Sequence, residues 1–338
     1  MTSSPSGSPA PPKRPRILSG MRPTGRLHLG NYLGALQNWV ALQDACENFH
    51  MVADWHALTT DYEHTKEIHP NTIEMVTDWL AAGIDPEKSP VFVQSHVKEH
   101  AELHLLLSML ITTSRLERNP TLKEQIRDLE MEDRVSYGHL GYPVLQAADI
   151  LLYKANLVPV GEDQVPHVEL TRELARKFNT LYGEVFPVPE PKLTRFARVP
   201  GLDGRRMSKS LGNTILLADD PKEIEAKVKT AYTDPKKIRL TDPGNPDGCV
   251  VFAYHQAFNA EQAPAIAAAC RAGQLGCVAD KRDLAGILAK RLEPIRERRR
   301  ELVAKPEIVR EALRHGDDRA RAVAVETMRQ VREAMQVG

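Results

Sequence analysis

Two short polar segments of the chain combine residue types that can bind a polyphosphate. The first, residues 19–31, is a glycine- and proline-rich turn that contains Arg22, His28 and Gly30 and lies between a predicted strand and a predicted helix. Backbone N–H groups at a helix start attract phosphate, glycine lets a ligand approach the backbone, and Arg and His side chains can donate hydrogen bonds to phosphate oxygens. An ordinary turn before a helix is the alternative for this segment taken alone.

The second segment, residues 205–213, is a basic loop that carries Lys209 and two serines. The ammonium group of Lys209 could neutralise the charge that develops on a leaving pyrophosphate, and a loop near a domain boundary can act as a mobile lid. The loop therefore predicts a contact with a polyphosphate, and an ordinary basic linker is the alternative.

A third candidate is a carboxylate within an apolar helix pattern. Asp149 is surrounded in the sequence by apolar residues, and a carboxylate in such a place is costly unless it has a partner. Tyr142, Gln146 and Asp149 are spaced by four and three residues, so they share one face of the helix. The alternative is a surface position on a half-exposed helix.

The pattern of elements indicates how these residues are positioned. Short apolar runs at residues 17–19, 49–53, 91–93 and 158–160 alternate with helical patterns, which predicts an α/β fold with a doubly wound parallel sheet. From Pro221 onward the patterns are almost only helical. The sequence therefore predicts an α/β part followed by an all-α part.

The composition is ordinary for a globular protein. The 338 residues correspond to about two domains. The 45 Lys and Arg residues balance the 45 Asp and Glu residues, so a polyanionic partner must be met by a local patch. The hydrophobic content of 42% and the charged content of 27% exclude disordered, collagen-like and membrane-spanning classes. In agreement with this, no apolar run reaches the roughly 18 residues that a spanning helix needs.

Three local features complete the prediction of the fold. Residues 143–153 are predicted to form a helix with Pro143 in its first turn. Residues 186–204 are rich in proline and are expected to be irregular. The basic run at residues 296–300 is expected to be a solvated helix face, with a phosphate-contacting surface as the alternative.

The motifs resemble those of one enzyme family. The segment from His28 to Asn31 resembles the HIGH signature of class I aminoacyl-tRNA synthetases, and the segment from Arg206 to Ser210 resembles their KMSKS signature. Asn31 replaces the last His of the HIGH signature, and Arg206 replaces the first Lys of the KMSKS signature. Asn at the last position of the HIGH signature is common among tryptophanyl and tyrosyl enzymes. Residues 19–25, 141–153 and 158–172 resemble bacterial tryptophanyl-tRNA synthetases, and the resemblance extends from residue 16 to the C-terminus.

The resemblance implies a domain organisation and a reaction. Residues 1–15, which are rich in Ser, Pro and Gly, are expected to be a disordered tail. The resemblance implies a Rossmann-like catalytic domain over 16–212 and a helical anticodon-binding domain over 213–338, whose last helix can pack back on the catalytic domain. The tryptophan carboxylate would attack the α-phosphate of ATP, giving tryptophanyl-adenylate and pyrophosphate, and the aminoacyl group would pass to the 3′ end of tryptophan tRNA. Mg²⁺ would enter with ATP, without protein ligands, and the enzyme would be a homodimer with one tRNA spanning both subunits.

The resemblance also assigns residue roles. The catalytic residues would be His28, Lys209 and Lys123. ATP would be contacted by Arg22, Pro23, Thr24, Gly30, Asn31, Gly161, Glu162, Asp163, Val199, Arg206, Met207, Ser208, Lys209 and Ser210. Tryptophan would be contacted by His56, Tyr142, Gln146, Asp149, Val158, Val160 and Gln164.

Asp149 is the residue that would select the amino acid. Indole offers one N–H donor and no acceptor, so a carboxylate at the end of an apolar slot is a good partner for it. Such a slot penalises phenylalanine, which would leave the carboxylate unpaired. For His56 a structural role in the core is the alternative.

Three other functions remain open at this point. A tyrosyl-tRNA synthetase shares the fold, although residues 142–163 match the tryptophan branch better. A catalytically idle paralogue that binds RNA or protein is disfavoured by the intact His28, Gly30, Asp149 and Lys209. A nucleotidyltransferase with a small-molecule acceptor is disfavoured by the helical C-terminal half.

The four cysteines do not form a disulfide scaffold in a chain of this length; free thiols in a reducing cytoplasm are expected. Some bacterial tryptophanyl enzymes carry an iron–sulfur motif in the C-terminal domain that ends C-x6-C-x2-C. Here Cys249, Cys270 and Cys277 are present and Asp280 stands in the place of the last cysteine. Since clusters normally use four thiolates and a carboxylate is a harder ligand, no cluster is expected; a cluster with Asp280 as its fourth ligand is the alternative.

This expectation is tested by purifying the protein without oxygen. We expect a colourless protein with iron and acid-labile sulfide near zero, because one of the four thiolates is missing. A brown preparation with broad visible absorbance and several irons per chain would contradict it.

Overall fold

Five parallel strands form one sheet, in the order β3-β2-β1-β4-β5. The computed structural model describes residues 14–128, 130–131, 133–193 and 199–338; the predicted tail lies, up to residue 13, outside this range. The strands are β1 (Arg16–Met21), β2 (Glu47–Val52), β3 (Val91–Val93), β4 (Leu157–Val160) and β5 (Glu190–Leu193). This order, with β1 beside both β2 and β4, is that of the doubly wound Rossmann-like fold and confirms the predicted fold class.

Helices cover both faces of the sheet, and the long elements described after β5 are all helices. A π-helical segment, Tyr32–Leu36, joins α1 to α2. The helices are α1 (Leu29–Asn31), α2 (Gln37–Leu42), α3 (Asp54–Leu58), α4 (Ile68–Ala81), α5 (Glu99–Ser108), α6 (Thr113–Glu117), α7 (Pro120–Asp128), α8 (Tyr137–Leu152), α9 (Val165–Tyr182), α10 (Pro221–Lys229), α11 (Val250–Phe258), α12 (Ala263–Arg271), α13 (Cys277–Ala304) and α14 (Pro306–Met335). None of the described helices has the length and apolar composition needed to cross a bilayer.

The prediction for helix α8 is wrong at its start. The helix begins at Tyr137 and holds Pro143 in its interior. It starts earlier because Ser136 caps it, with Oγ accepting a hydrogen bond from the backbone N–H of His139 at 3.1 Å. Proline within a helix removes one backbone hydrogen bond, and the buried apolar side chains of α8 offset that loss.

The expectation of irregular structure over residues 186–204 is wrong for β5. This strand pairs with β4 in parallel although it contains Pro191. Proline is tolerated in an edge strand because it lacks only the N–H that an interior strand would use on its second side. The proline content hid the strand, and its place at the end of the sheet order explains why it forms.

The basic run at residues 296–300 is divided between two environments. Arg298 and Arg300 are exposed, as expected. Arg296 and Arg299 are 5% and 6% exposed, so the expectation of a solvated face is wrong for these two residues. Arg299 forms an ion pair with the buried Asp78 of α4, and a buried cation requires such a partner.

Helix α14 returns to the sheet and covers its β3 edge. The backbone N–H of Val93 donates to Asp317 Oδ1 at 2.9 Å, which satisfies a donor at a sheet edge. Arg332 forms an ion pair with Glu102 of α5 at 2.6 Å. The approach is closest at Gly316, where a β-carbon would lie 1.8 Å from the carbonyl oxygen of Val91.

Gly316→Ala should therefore lower the free energy of unfolding by about 1–3 kcal/mol, the cost of overpacking. Gly286→Ala in α13 is the matched control, since a β-carbon there meets nothing within 4 Å. The control should be more stable than the wild type by about 0.5–1 kcal/mol, because alanine favours helix over glycine. Equal stability of the two variants in urea unfolding would show that the contact of α14 with β3 is not tight.

Candidate active site

A cavity of about 560 Å³ opens at the carboxyl ends of the strands. Its lining includes residues of β1 and β4 and the residues that follow β1, β2 and β4. Ligands in open α/β sheets bind at this position, where the strand order reverses, and the volume suits a small molecule.

Asp149 lies in the wall of this cavity, within α8, and is 1% exposed. Its carboxylate accepts hydrogen bonds from His56 Nε2 at 2.7 Å, Gln94 Nε2 at 2.8 Å and His100 Nδ1 at 2.6 Å. Burial alone would raise the pKa of Asp149, but the hydrogen bonds from His100 and His56 outweigh it and hold this pKa well below its ordinary value. The residue is therefore a buried carboxylate anion, which excludes the alternative of a surface position.

The partners of Asp149 leave one acceptor position open. Oδ1 accepts from both Gln94 and His100, whereas Oδ2 accepts from His56. Each carboxylate oxygen can accept two hydrogen bonds, so Oδ2 can take one more donor from a ligand in the cavity. His100 is fixed on its other side, where Nε2 lies 2.9 Å from the hydroxyl of Tyr153.

Tyr142 also lines the cavity, and its hydroxyl is oriented by a second histidine. It lies 2.8 Å from Nε2 of His167, whose Nδ1 is 3.2 Å from Nδ2 of Asn119. Burial lowers the pKa of His167 to about 4, so the ring is neutral at pH 7. Because the Asn119 amide donates to Nδ1, the ring proton belongs on Nε2 and is donated to Tyr142. The Tyr142 O–H is then free to donate to a ligand.

His28 begins α1 as part of a capping box. The backbone N–H of Asn31 donates to His28 Nδ1 at 3.3 Å, and the backbone N–H of His28 donates to Asn31 Oδ1 at 3.1 Å. The proton of the neutral ring is therefore on Nε2. Burial lowers the pKa of His28 to about 4, and the charges of Lys209 and Arg206 add to this effect. At neutral pH His28 is an uncharged N–H donor, and Asn31 sets its tautomer.

The loop at residues 205–213 lies directly against the turn that contains His28. The backbone N–H of Gly30 is 3.3 Å from Met207 Sδ, and Lys209 Nζ donates to the carbonyl oxygen of Thr24 at 2.5 Å. Backbone hydrogen bonds between residues 27–29 and 215–217 hold the two segments side by side. The structure therefore brings together the two phosphate-binding segments that the sequence suggested.

The other predicted site residues fall into two groups. All of the predicted amino-acid contacts line the cavity, together with three of the ATP contacts: His56, Tyr142, Gln146, Asp149, Val158, Val160, Gln164, Arg22, Gly161 and Arg206. The remaining ATP contacts lie in the turn, in the loop or in the 3-10 turn after Gly161: Pro23, Thr24, Gly30, Asn31, Glu162, Asp163, Met207, Ser208, Lys209 and Ser210.

Two predicted residues lie apart from these groups. Lys123 is exposed on α7 and does not line the cavity, whereas Gln125 and Asp128 of the same helix do. Val199 is half-buried and packs against the hydrophobic core.

The sequence analysis missed the partners that orient the cavity residues: Gln94, His100, Tyr153, Asn119 and His167. For Gln94 a signal was available, because it directly follows β3, and the carboxyl ends of parallel strands meet at the ligand site. The others lie on α5, directly after α8, on α9 and in the segment before α7. Tyr153 is four residues after Asp149, which is a helical spacing, but no spacing in the sequence links the remaining three to Asp149 or Tyr142.

Cys249, Cys270, Cys277 and Asp280 lie in the helical part and do not line the cavity, whereas Cys46 is buried just before β2. Asp280 Oδ1 is 3.1 Å from Nε2 of the buried His255, and burial raises the pKa of the Cys249 thiol. Within the ranges that the structure describes, no group of three or more His, Cys, Asp and Glu side chains is arranged to hold a metal ion. The absence of a cluster remains a prediction.

Comparisons with known proteins agree with this site. The model of a family described as tRNA synthetases class I (W and Y) matches residues 11–293. A tryptophan–tRNA ligase from Thermotoga maritima is 53% identical over 95% of this chain and 98% of the relative, and one from Aquifex aeolicus is 45% identical over 95% and 99%. The crystal structure of tryptophanyl-tRNA synthetase from Campylobacter jejuni with ADP and tryptophan is similar with a TM-score of 0.83 and 34% identity, over 95% of this chain and 100% of that one.

The doubly wound sheet, with the His28 turn and the Lys209 loop at its switch point, is the arrangement of a class I aminoacyl-tRNA synthetase. The chain belongs to the family of class I tRNA synthetases for tryptophan and tyrosine. The resemblance found in the sequence is thereby confirmed.

The partners of Asp149 can be tested by stability measurements. His100→Leu should lower the free energy of unfolding by about 3–5 kcal/mol, because it leaves a buried charge without one of its donors. Adding Asp149→Asn removes the charge and should restore part of the loss. The control is His104→Leu on the same helix, whose Nδ1 has no hydrogen-bond partner among the described residues, and it should cost much less. Additive effects in the double variant would contradict the assigned contact.

Proposed function

We propose that this protein is a tryptophan–tRNA ligase that forms tryptophanyl-adenylate from tryptophan and ATP and then charges tryptophan tRNA. The observation that carries this proposal is the buried Asp149 anion at the wall of the cavity, with an unused acceptor position on Oδ2. The named relatives, which are tryptophan enzymes, support the same substrate.

The proposed tryptophan site accounts for selection of the indole ring. The side chains of Val158 and Val160 line the cavity beside Tyr142 and supply apolar walls. The indole N–H donates to Asp149, which is ionised and already oriented by its partners. Phenylalanine fits the apolar walls but leaves Oδ2 without its donor, a loss of about 1–3 kcal/mol for an unsatisfied buried group. Gln164 lies at the same cavity, where we assign it to the amino or carboxylate group of the substrate.

In the first step a carboxylate oxygen of tryptophan attacks the α-phosphorus of ATP, and the bond to the oxygen that bridges the α- and β-phosphates breaks. The neutral His28 donates a hydrogen bond from Nε2–H to a phosphate oxygen. Because burial lowers the pKa of His28 to about 4, the ring stays uncharged near pH 7. Lys209 neutralises the negative charge that grows on pyrophosphate, a contribution that is strongest in the transition state. The exposed Lys123 on α7 is a further contact for the phosphates.

ATP is a substrate here, and we propose that Mg²⁺ enters bound to its phosphates. The described residues fit this arrangement, because the turn and the loop offer N–H and ammonium donors rather than clustered carboxylates. The chain's own contribution is to position the phosphates between His28 and Lys209.

The second step, transfer to the 3′ end of tRNA, involves the helical part. We propose that helices α10–α14 contain the anticodon-binding surface and that residues 213–338 form this domain. We further propose a homodimer, which is supported by the exposed apolar side chains Leu105 and Met109 on and after α5. The four free thiols support a reducing, cytoplasmic location.

A tyrosyl-tRNA synthetase and an idle paralogue are the competing functions. The likeness to the tyrosyl enzyme of Archaeoglobus fulgidus, at 22% identity, shows the fold alone. Loss of activity is disfavoured because Asp149 lines the cavity and the chain keeps His28 and Lys209 in the turn and the loop whose Arg22 and Arg206 also line it.

The decisive experiment is ATP–pyrophosphate exchange with each of the twenty amino acids. Tryptophan should support exchange, and tyrosine and phenylalanine should not. In Asp149→Ala the preference for tryptophan over phenylalanine should fall by about 10–100-fold, the equivalent of roughly 1–3 kcal/mol for a hydrogen bond to a charged group. Exchange with tyrosine instead would favour the rival enzyme, and no exchange with any amino acid would favour the idle paralogue. Undiminished discrimination in Asp149→Ala would remove Asp149 from the selecting role.

A further inference from the structure

A polar stripe on helix α4 faces the turn that precedes His28. Asn71, Glu74 and Asp78 are spaced by three and four residues and share one face of α4. The backbone N–H of Leu27 donates to Asp78 Oδ2 at 2.6 Å, and Arg26 Nε donates to Glu74 Oε2 at 2.9 Å.

The stripe also touches the turn at Gly25. This glycine has φ +82°, and a β-carbon there would lie 2.8 Å from Asn71 Oδ1. Three successive residues of the turn, 25–27, are therefore seated on α4.

The stripe is completed by a cation from the helical part of the chain. Arg299 of α13 lies with Nη1 3.1 Å from Asp78 Oδ1 and Nη2 2.5 Å from Glu74 Oε2. Asp78 is 0% and Arg299 is 6% exposed, so this ion pair is dry. One guanidinium thus spans both carboxylates that hold the turn, which its planar fork geometry allows.

The same turn receives Lys209. Its ammonium donates to the carbonyl of Thr24, one residue before the part of the turn that α4 holds. A shift of residues 25–27 would therefore displace the neighbours of this segment on both sides. On one side Thr24 would move together with the bound ammonium group of Lys209, and on the other side His28 would move. Misplacing groups that position phosphates is costly for the rate, because catalysis by positioning is sensitive to shifts of about 1 Å.

We propose that Arg299 is a positioning residue for the ATP-dependent step, which acts through Asp78 and Glu74 on the turn from Gly25 to His28. This inference rests on the proposed function for its kinetic consequence, although the contacts are independent of it. If Arg299 has this role, α13 must pack against α4 for the phosphate site to have its correct geometry.

The kinetic test compares Arg299→Met with Arg298→Met in pyrophosphate exchange. Methionine keeps much of the apolar stem and removes the charge, and Arg298 is an exposed neighbour on the same helix. In Arg299→Met we expect kcat/KM for ATP to fall roughly 10–100-fold, while the Kd of tryptophan measured at equilibrium stays within about twofold. In Arg298→Met both should stay at the wild-type values. An equal loss of tryptophan binding and ATP use would indicate general unfolding and overturn the positioning role.

A second readout does not depend on enzymatic activity. Hydrogen–deuterium exchange of the Leu27 amide should be slow in the wild type and in Arg298→Met, because Asp78 accepts its proton, and faster by at least tenfold in Arg299→Met. Unchanged exchange at Leu27 overturns the inference. If the wild type shows no tryptophan-dependent activity, the proposed function fails, and this measurement still decides the role of Arg299.

Arg299→Lys carries the test if Arg299→Met does not fold. An ammonium group can replace the charge but cannot span Asp78 and Glu74 as the guanidinium does. We expect the same two changes, smaller in size, relative to Arg298→Met. Wild-type values of both kcat/KM for ATP and Leu27 exchange in a folded Arg299→Lys protein would overturn the proposal.

Discussion

The structure of the site depends on one physical constraint, the cost of keeping a carboxylate ionised away from water. An isolated buried carboxylate is strongly disfavoured, so the fold must deliver donors to it from several elements. Asp149 on α8 receives them from α3, from the residue after β3 and from α5. Those elements can therefore take up only the arrangement that satisfies Asp149, and the cavity wall is fixed as a result.

The same constraint operates a second time beneath the turn that precedes His28. Asp78 on α4 is as deeply buried as Asp149, but its donors are a backbone N–H and a guanidinium from a distant helix. Burial raises the pKa of Asp78 to about 6, with Arg299 and the Leu27 N–H opposing that rise. One carboxylate thus shapes the wall of the cavity, and the other fixes the turn at residues 25–27.

The sequence predicted those parts that depend on local spacing. The spacing of Tyr142, Gln146 and Asp149 predicts a common helix face, and short apolar runs between helical patterns predict the strands. Both features are local, so they can be recognised without knowledge of tertiary contacts. The contacts of Asp149 with its partners could not be predicted, because His56, Gln94 and His100 come from separate elements; the end of β3 could have indicated Gln94, but nothing in the sequence indicated His100. Strand β5 was missed because Pro191 disfavours a strand locally, whereas an edge position tolerates it.

Asp78 was open to the reasoning that identified Asp149. It also stands within an apolar run of a predicted helix, from Met75 to Ala81, and that run already implied a buried partner. The identity of the partner was hidden for a different reason. Arg299 lies in a basic run whose composition suggested solvent, and only tertiary packing distinguishes its buried members from its exposed ones.

The contact between α14 and β3 has a consequence for the order of events during synthesis. Val93 and the Asp317 side chain that accepts its N–H are 224 residues apart. While the chain is still being translated, the β3 edge has its unpaired backbone groups exposed, although β1, β2 and β3 have already emerged from the ribosome. An open strand edge of this kind invites pairing with other chains. The nascent sheet thus passes through a long interval in which the helix that covers this edge has not yet been synthesised.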